Sequence, residues 1–165
     1  DLTSASTTGT GFRDSTAPTS SVFTLGGGSQ PYRYTSNKSS DTYIGYFFKS
    51  VQGYSKFGSY TGNGNADGTF VYTGFKPAFI LLKDYTSGSG YNWVLLDNKR
   101  DPSNGLDKRL QASSNLAEYT DVSNFCDFTS NGFKLRQTSG SYNGNNSTYI
   151  YMAFAETPIK YSNPR

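Results

Sequence analysis

FILLKDYTSGSGYNWVLL, residues 79–96, decides how the rest of the chain is read. Two unbroken apolar runs, 78–82 and 93–96, meet across its turn-rich DYTSGSGY. Periodicity alone does not separate a buried strand from a buried helix, so length and flanks must arbitrate. Each run is too short for a helix, and Pro77, Gly88 and Gly90 punctuate the flanks. The stretch is therefore expected to form a buried central β-hairpin, FILLK against NWVLL.

Composition agrees with a core assembled from strands. The chain has 165 residues, enough for one domain, with 14 Tyr and 12 Phe. Both residue types suit a pleated, half-buried surface and bring a large burial area per side chain. A modest hydrophobic fraction of 34% can therefore still fill a core. Charged residues make up 16%, below the usual quarter or so, and Ser, Thr, Asn and Gly replace them, as on extracellular surfaces. The net charge of +3 comes from scattered Lys and Arg, too dispersed for a nucleic-acid footprint.

Other features exclude whole classes of chemistry. Histidine is absent, which removes Ser-His-Asp and Cys-His mechanisms and His-containing metal sites. The single Cys126 rules out an intramolecular disulfide framework and reads as a small buried thiol within FCDF. No apolar run approaches the roughly 18 residues of a membrane span, so no membrane insertion is expected. No cofactor is expected either. A start at Asp1 without Met reads as a processed product or a fragment.

In chain order, residues 1–21 read as a Ser/Thr/Gly-rich extended arm or linker, expected to lie on a neighbouring subunit or domain. SVFTL (21–25) and DTYIGYFFKSV (41–51) are the first strand candidates, the second apolar on both faces. The latter matches TYIYMAFA (148–155), with Thr42-Tyr43-Ile44 set against Thr148-Tyr149-Ile150. NGFKL (131–135) likewise echoes SVFTL, so an internal repeat is expected, and 22–55 reads alternatively as the end of a preceding repeat. Further strands are expected at 69–73, 122–129 and 132–137, where Asn131-Gly132 is a hairpin signal, with a short strand or turn near 106–110. Residues 111–121 read as a polar loop and 159–165 as a tail. Short strands at this spacing, without a helix, predict an all-β chain: an antiparallel β-sandwich or jelly roll over 22–165.

Four stretches, SKFGSYTGNGNADGTFVYTGFKPAFILLK (55–83), NWVLLDNKRDP (92–102), DFTSNGFKL (127–135) and TYIYMAFAE (148–156), carry a resemblance. They resemble a C-terminal domain of unknown function in tail-fibre and virion-associated proteins of marine, cyanophage-like bacteriophages. The resemblance runs from about residue 41 to the C-terminus. It implies a concanavalin-like β-sandwich on a virus particle or appendage and brings no catalytic residues.

Candidate sites compete with plainer explanations. Asn63, Asn65 and Asp67 match the start of a calcium loop, but the twelfth position is Gly74 where a bidentate Glu is needed. A Gly/Asn turn with left-handed backbone is the simpler account. Asp97-Asn98-Lys99-Arg100-Asp101 could hydrogen-bond a sugar stacked on Trp93 or Tyr91. Alternatively, it is a strand end stapled by Lys99 or Arg100 meeting Asp101. A glycosidase needs two opposed carboxylates, and nothing places Glu118 or Glu156 opposite an Asp. Tyr91, Tyr119, Tyr142 and Asn143 lie in Tyr/Ser/Gly/Asn loops whose composition suits recognition or subunit packing.

The function expected is thus a non-enzymatic virion structural or adhesion domain, extracellular or on the particle. Its partners would be other virion subunits in a homo-oligomer, with a trimer as one option, and host-surface glycan. A lectin-like carbohydrate-binding module is the alternative, and a polysaccharide depolymerase a third.

Overall fold

The computed structural model describes residues 19, 21–25, 38, 41–87, 90–120 and 124–158. Nine strands follow one another: β1 (Ser55–Thr61), β2 (Phe70–Tyr72), β3 (Pro77–Asp84), β4 (Val94–Asp97), β5 (Lys108–Gln111), β6 (Tyr119–Thr120), β7 (Cys126–Thr129), β8 (Gly132–Leu135) and β9 (Thr148–Ala155). All pairings are antiparallel, in a six-stranded sheet ordered β1-β9-β3-β4-β5-β6 and a three-stranded sheet ordered β2-β8-β7. The described residues contain no helix, hence none long and apolar enough to cross a membrane.

The hairpin predicted at 79–96 forms and lies at the middle of the larger sheet. Ile80 pairs with Leu96 and Leu82 with Val94, and all four side chains are buried. β9 inserts between β1 and β3, so both its edges are hydrogen-bonded. The Asn-Gly hairpin also forms, with Thr129 opposite Gly132 and Ser130-Asn131 as the loop. One apolar core draws on both sheets. Phe133 of β8 meets Tyr60 of β1 at 6.0 Å and Tyr151 of β9 at 5.6 Å, both edge-on. Such ring pairs contribute about 0.5–1.5 kcal/mol beyond the area they bury. Cys126 is fully buried among these side chains and is a free thiol; burial pushes its pKa well up.

Two strand expectations fail. Residues 22–25 are irregular after a bend at Ser21, where the Thr19 hydroxyl accepts the amides of Ser21 and Val22. Residues 41–50 are irregular as well, and only Val51 bridges, to Ser55. The reason is partnership: no strand pairs with 41–47 among the described residues, and an apolar pattern becomes a strand only when its amides find a ladder. The two members of the expected repeat thus differ in conformation, 148–155 being strand and 41–48 not. The described residues fall into two compact units, one within Thr7–Phe48 and one within Lys49–Arg165. In the first, the Phe23 and Phe47 rings meet at 5.2 Å, tilted by 59°, and Tyr43 accepts the Lys38 amide through its hydroxyl. The predicted arm lies outside the described residues save Thr19 and Ser21, and the 159–165 tail lies wholly outside them.

Candidate functional site

At the end of β4, Asp97 organises the DNKRD stretch through its own carboxylate. Oδ1 accepts the amides of Lys99 and Arg100 at 3.0 and 2.9 Å, and Oδ2 accepts Arg100 Nε at 2.7 Å. Burial alone would raise this carboxyl. The Arg100 backbone and guanidinium, with Lys99, more than offset it and hold Asp97 below its ordinary value. Arg100 also donates from Nη1 to Glu118 at 2.8 Å. The expected pairing with Asp101 is therefore corrected: Asp97 is nearer in the turn, and Asp101 instead accepts the amides of Asp107 and Lys108.

The second glutamate is tied up in a similar way. Glu156 meets Lys76 at 2.8 Å and accepts from Asn98 Nδ2 at 2.7 Å, while Asn98 Oδ1 is buried without a hydrogen-bond partner among the described residues. Each Glu is thus held by a cation. Trp93 immediately precedes β4, and its amide donates to Ser113 Oγ at 3.1 Å. The Tyr91 carbonyl accepts from Lys83 Nζ.

The Tyr/Asn loops turn inward. Tyr142 and Asn143 are buried. The Asn143 amide donates to Asn63 Oδ1, Asn65 O and Gln137 O, and its own oxygen accepts the Asn63 amide. Tyr142 donates to Gln137 and accepts Tyr60 Oη–H on its carbonyl at 2.6 Å. Asn63 and Asn65 in turn accept the amides of Asn65 and Asp67, and Asp67 pairs with Lys134 at 2.8 Å. Gly64 at the apex has a φ of +62°, the left-handed geometry expected of a Gly/Asn turn. Asn63 Oδ1, Asn65 Oδ1 and Asp67 Oδ1 thus each meet an N–H group, and no cluster of three metal-ligating side chains occurs among the described residues. Tyr119 is half-exposed and carries the Arg109 guanidinium 4.5 Å from its ring centre, with Phe125 and Tyr142 on the same cation at 5.1 and 5.9 Å.

Asp84, at the end of β3, escaped the sequence reading although Asp-x-Thr-Ser after a strand is a turn signal. Its Oδ1 accepts from the Thr86 amide, the Thr86 hydroxyl and the Ser87 amide, and its Oδ2 is buried without a partner among the described residues. Burial would raise this carboxyl, yet these donors hold it below its ordinary value. Thr86 Oγ1 then accepts the Thr148 amide at 3.1 Å, tying the central hairpin to β9. These arrangements brace loops with fixed hydrogen bonds.

No curated protein and no solved structure matches the chain. A family model does, over residues 1–158, and so takes in the first forty residues that the tail-fibre resemblance leaves out. The chain belongs to the family described as Domain of unknown function (DUF7483).

Proposed function

We propose that this domain is a non-enzymatic structural and adhesion module of a bacteriophage particle, carried on a tail fibre or surface appendage. In this reading the two sheets stack as a jelly-roll-like, concanavalin-like β-sandwich, and several copies pack side by side. The observation that supports it most is the stretch 41–48. Ile44 and Tyr46 are 80% and 81% exposed, with Tyr43, Phe47 and Phe48 beside them in sequence and also exposed. Contiguous exposed aromatics of this kind mark interaction surfaces, and Tyr and Phe are enriched where subunits meet. The phage assignment is supported by the motif resemblance.

Mass photometry of the full chain over a range of concentrations tests the packing half. Defined oligomers are expected, and a monomer at every concentration would contradict it. A second reading, a carbohydrate-binding module, is favoured by an open cleft beside Tyr72.

A further inference from the structure

Most ionic and amide side chains of the predicted sites serve internal partners, but one cleft differs. It has a volume of about 330 Å³ and lies where the start of β1 faces the connection from β2 to β3. Gln52, Lys56, Tyr72, Thr73 and Gly74 line it. That size is at the small end for ligand pockets, room for one or two sugar rings.

The cleft follows from the residue order on β1. Side chains alternate along a strand, so Lys56 and Gly58 share the face of the buried Tyr60. Gly58 leaves room for the Tyr151 ring, since a Cβ there would stand 3.0 Å from it. The next residue on that face is Lys56, whose ammonium cannot be buried without a partner. The apolar packing therefore stops and the space opens to solvent. Across it, Val71 enters the core while its neighbour Tyr72 stays 64% exposed.

The walls are fixed before any ligand arrives. Val51 and Ser55 exchange two backbone hydrogen bonds at 2.9 Å. The amides of Thr73 and Gly74 both donate to Asn131 O, at 3.0 and 3.1 Å, and the Thr73 hydroxyl donates to Phe75 O at 2.6 Å. Gly74 adopts a φ of +85°, which lets the turn pass beneath Tyr72 without a side chain. Walls held this way lower the ordering cost of binding.

The chemistry of the lining selects the ligand. Lys56, like Lys49 and Lys99, has no carboxylate within 4.0 Å among the described residues, and of these three it alone lines the cleft. The Tyr72 hydroxyl and the Gln52 amide make no hydrogen bond among those residues either. An aromatic residue, an unneutralised lysine and an amide thus line one small, open space. We propose that this cleft binds a carboxylated saccharide, its ring stacked on Tyr72, its carboxylate on Lys56 and a hydroxyl on Gln52. This deepens the recognition half of the attachment reading and rests on it.

The test is calorimetric titration of the full chain with tetragalacturonate and with neutral galactotetraose, repeated on Lys56→Met and Tyr72→Ala. Tetragalacturonate is expected to bind about tenfold more tightly than the neutral sugar, and Lys56→Met to erase that preference. Tyr72→Ala is expected to weaken both sugars, with the thermal midpoint of each variant unchanged. Absence of binding by the wild type, equal affinity for the two sugars, or unchanged affinity in Tyr72→Ala would overturn the proposal. If sugar binding fails while the chain still assembles, the cleft is wrong and the packing reading stands.

Discussion

Two stretches of this molecule use nearly the same words and end in opposite states. Thr148-Tyr149-Ile150 opens β9, hydrogen-bonded along both edges, and Tyr149 is wholly buried. Thr42-Tyr43-Ile44 opens an irregular segment in which Tyr43 is 42% exposed. Tyr149 stacks on Tyr60 at 5.0 Å, donates to Gly140 O at 2.7 Å and accepts the Gly144 amide at 2.8 Å. Tyr43 accepts one amide, from Lys38. Side-chain pattern makes a segment eligible to be a strand, but the neighbours on either side decide whether it becomes one.

The largest expected effect breaks that pair apart. Tyr149→Ala should cost about 3–5 kcal/mol, the range for deleting a fully packed aromatic. Its sequence counterpart Tyr43→Ala should stay within about 0.5 kcal/mol, as surface changes do. Urea midpoints of the two variants, compared at equal m-values, give the answer. Similar losses in both would mean that 41–48 is as much part of the core as β9.

A smaller effect concerns the loop that delivers the chain into β9. Asn143→Ala removes an amide that donates to three oxygens and an oxygen that accepts the Asn63 amide. Leaving such groups unsatisfied should cost about 2–3 kcal/mol. Amide exchange should quicken at residues 62–68 before it quickens in β9 itself.

Smaller again is the pH response at Asp84, whose backbone pairs with Tyr149. Its folded pKa lies below the ordinary 3.8, so the folded state binds a proton less readily than the unfolded chain. The stability it contributes is present above the unfolded value and is lost as pH falls through the folded one. The urea midpoint should therefore drop on acidification from about pH 5 to about pH 3, and Asp84→Asn should make that drop shallower. An unchanged slope in the variant would remove Asp84 from the account.

Sequence legibility divides along the same line. The hairpin of β3 and β4 was legible because its apolar runs were short and bounded by Pro77 and glycines. The turn at Ser130-Asn131 was marked by its Asn-Gly, and the strand at 148–155 by its apolar run. The stretch 41–50 misled because it passes every local test for a strand and has no ladder partner among the described residues, a property no window of residues contains. β6 errs in the other direction, lying in a stretch that reads as a polar loop. Tyr119 and Thr120 become strand because they pair with Arg109 and Lys108. For the candidate site, the Tyr/Asn composition of the loops was visible but their direction was not. Tyr142 and Asn143 point inward because Gln137, Asn63 and the Tyr60 hydroxyl offer partners there. Lys56 escaped notice because the cleft it lines joins the start of β1 to Tyr72, which no local window links.

The most direct measurement is sedimentation velocity of the full chain beside the double variant Ile44→Asp/Tyr46→Asp. If the exposed stretch is what copies use to hold one another, the wild type sediments as an oligomer and the variant as a monomer with the same melting temperature. A variant that sediments like the wild type, whether both are oligomers or both are monomers, would contradict it.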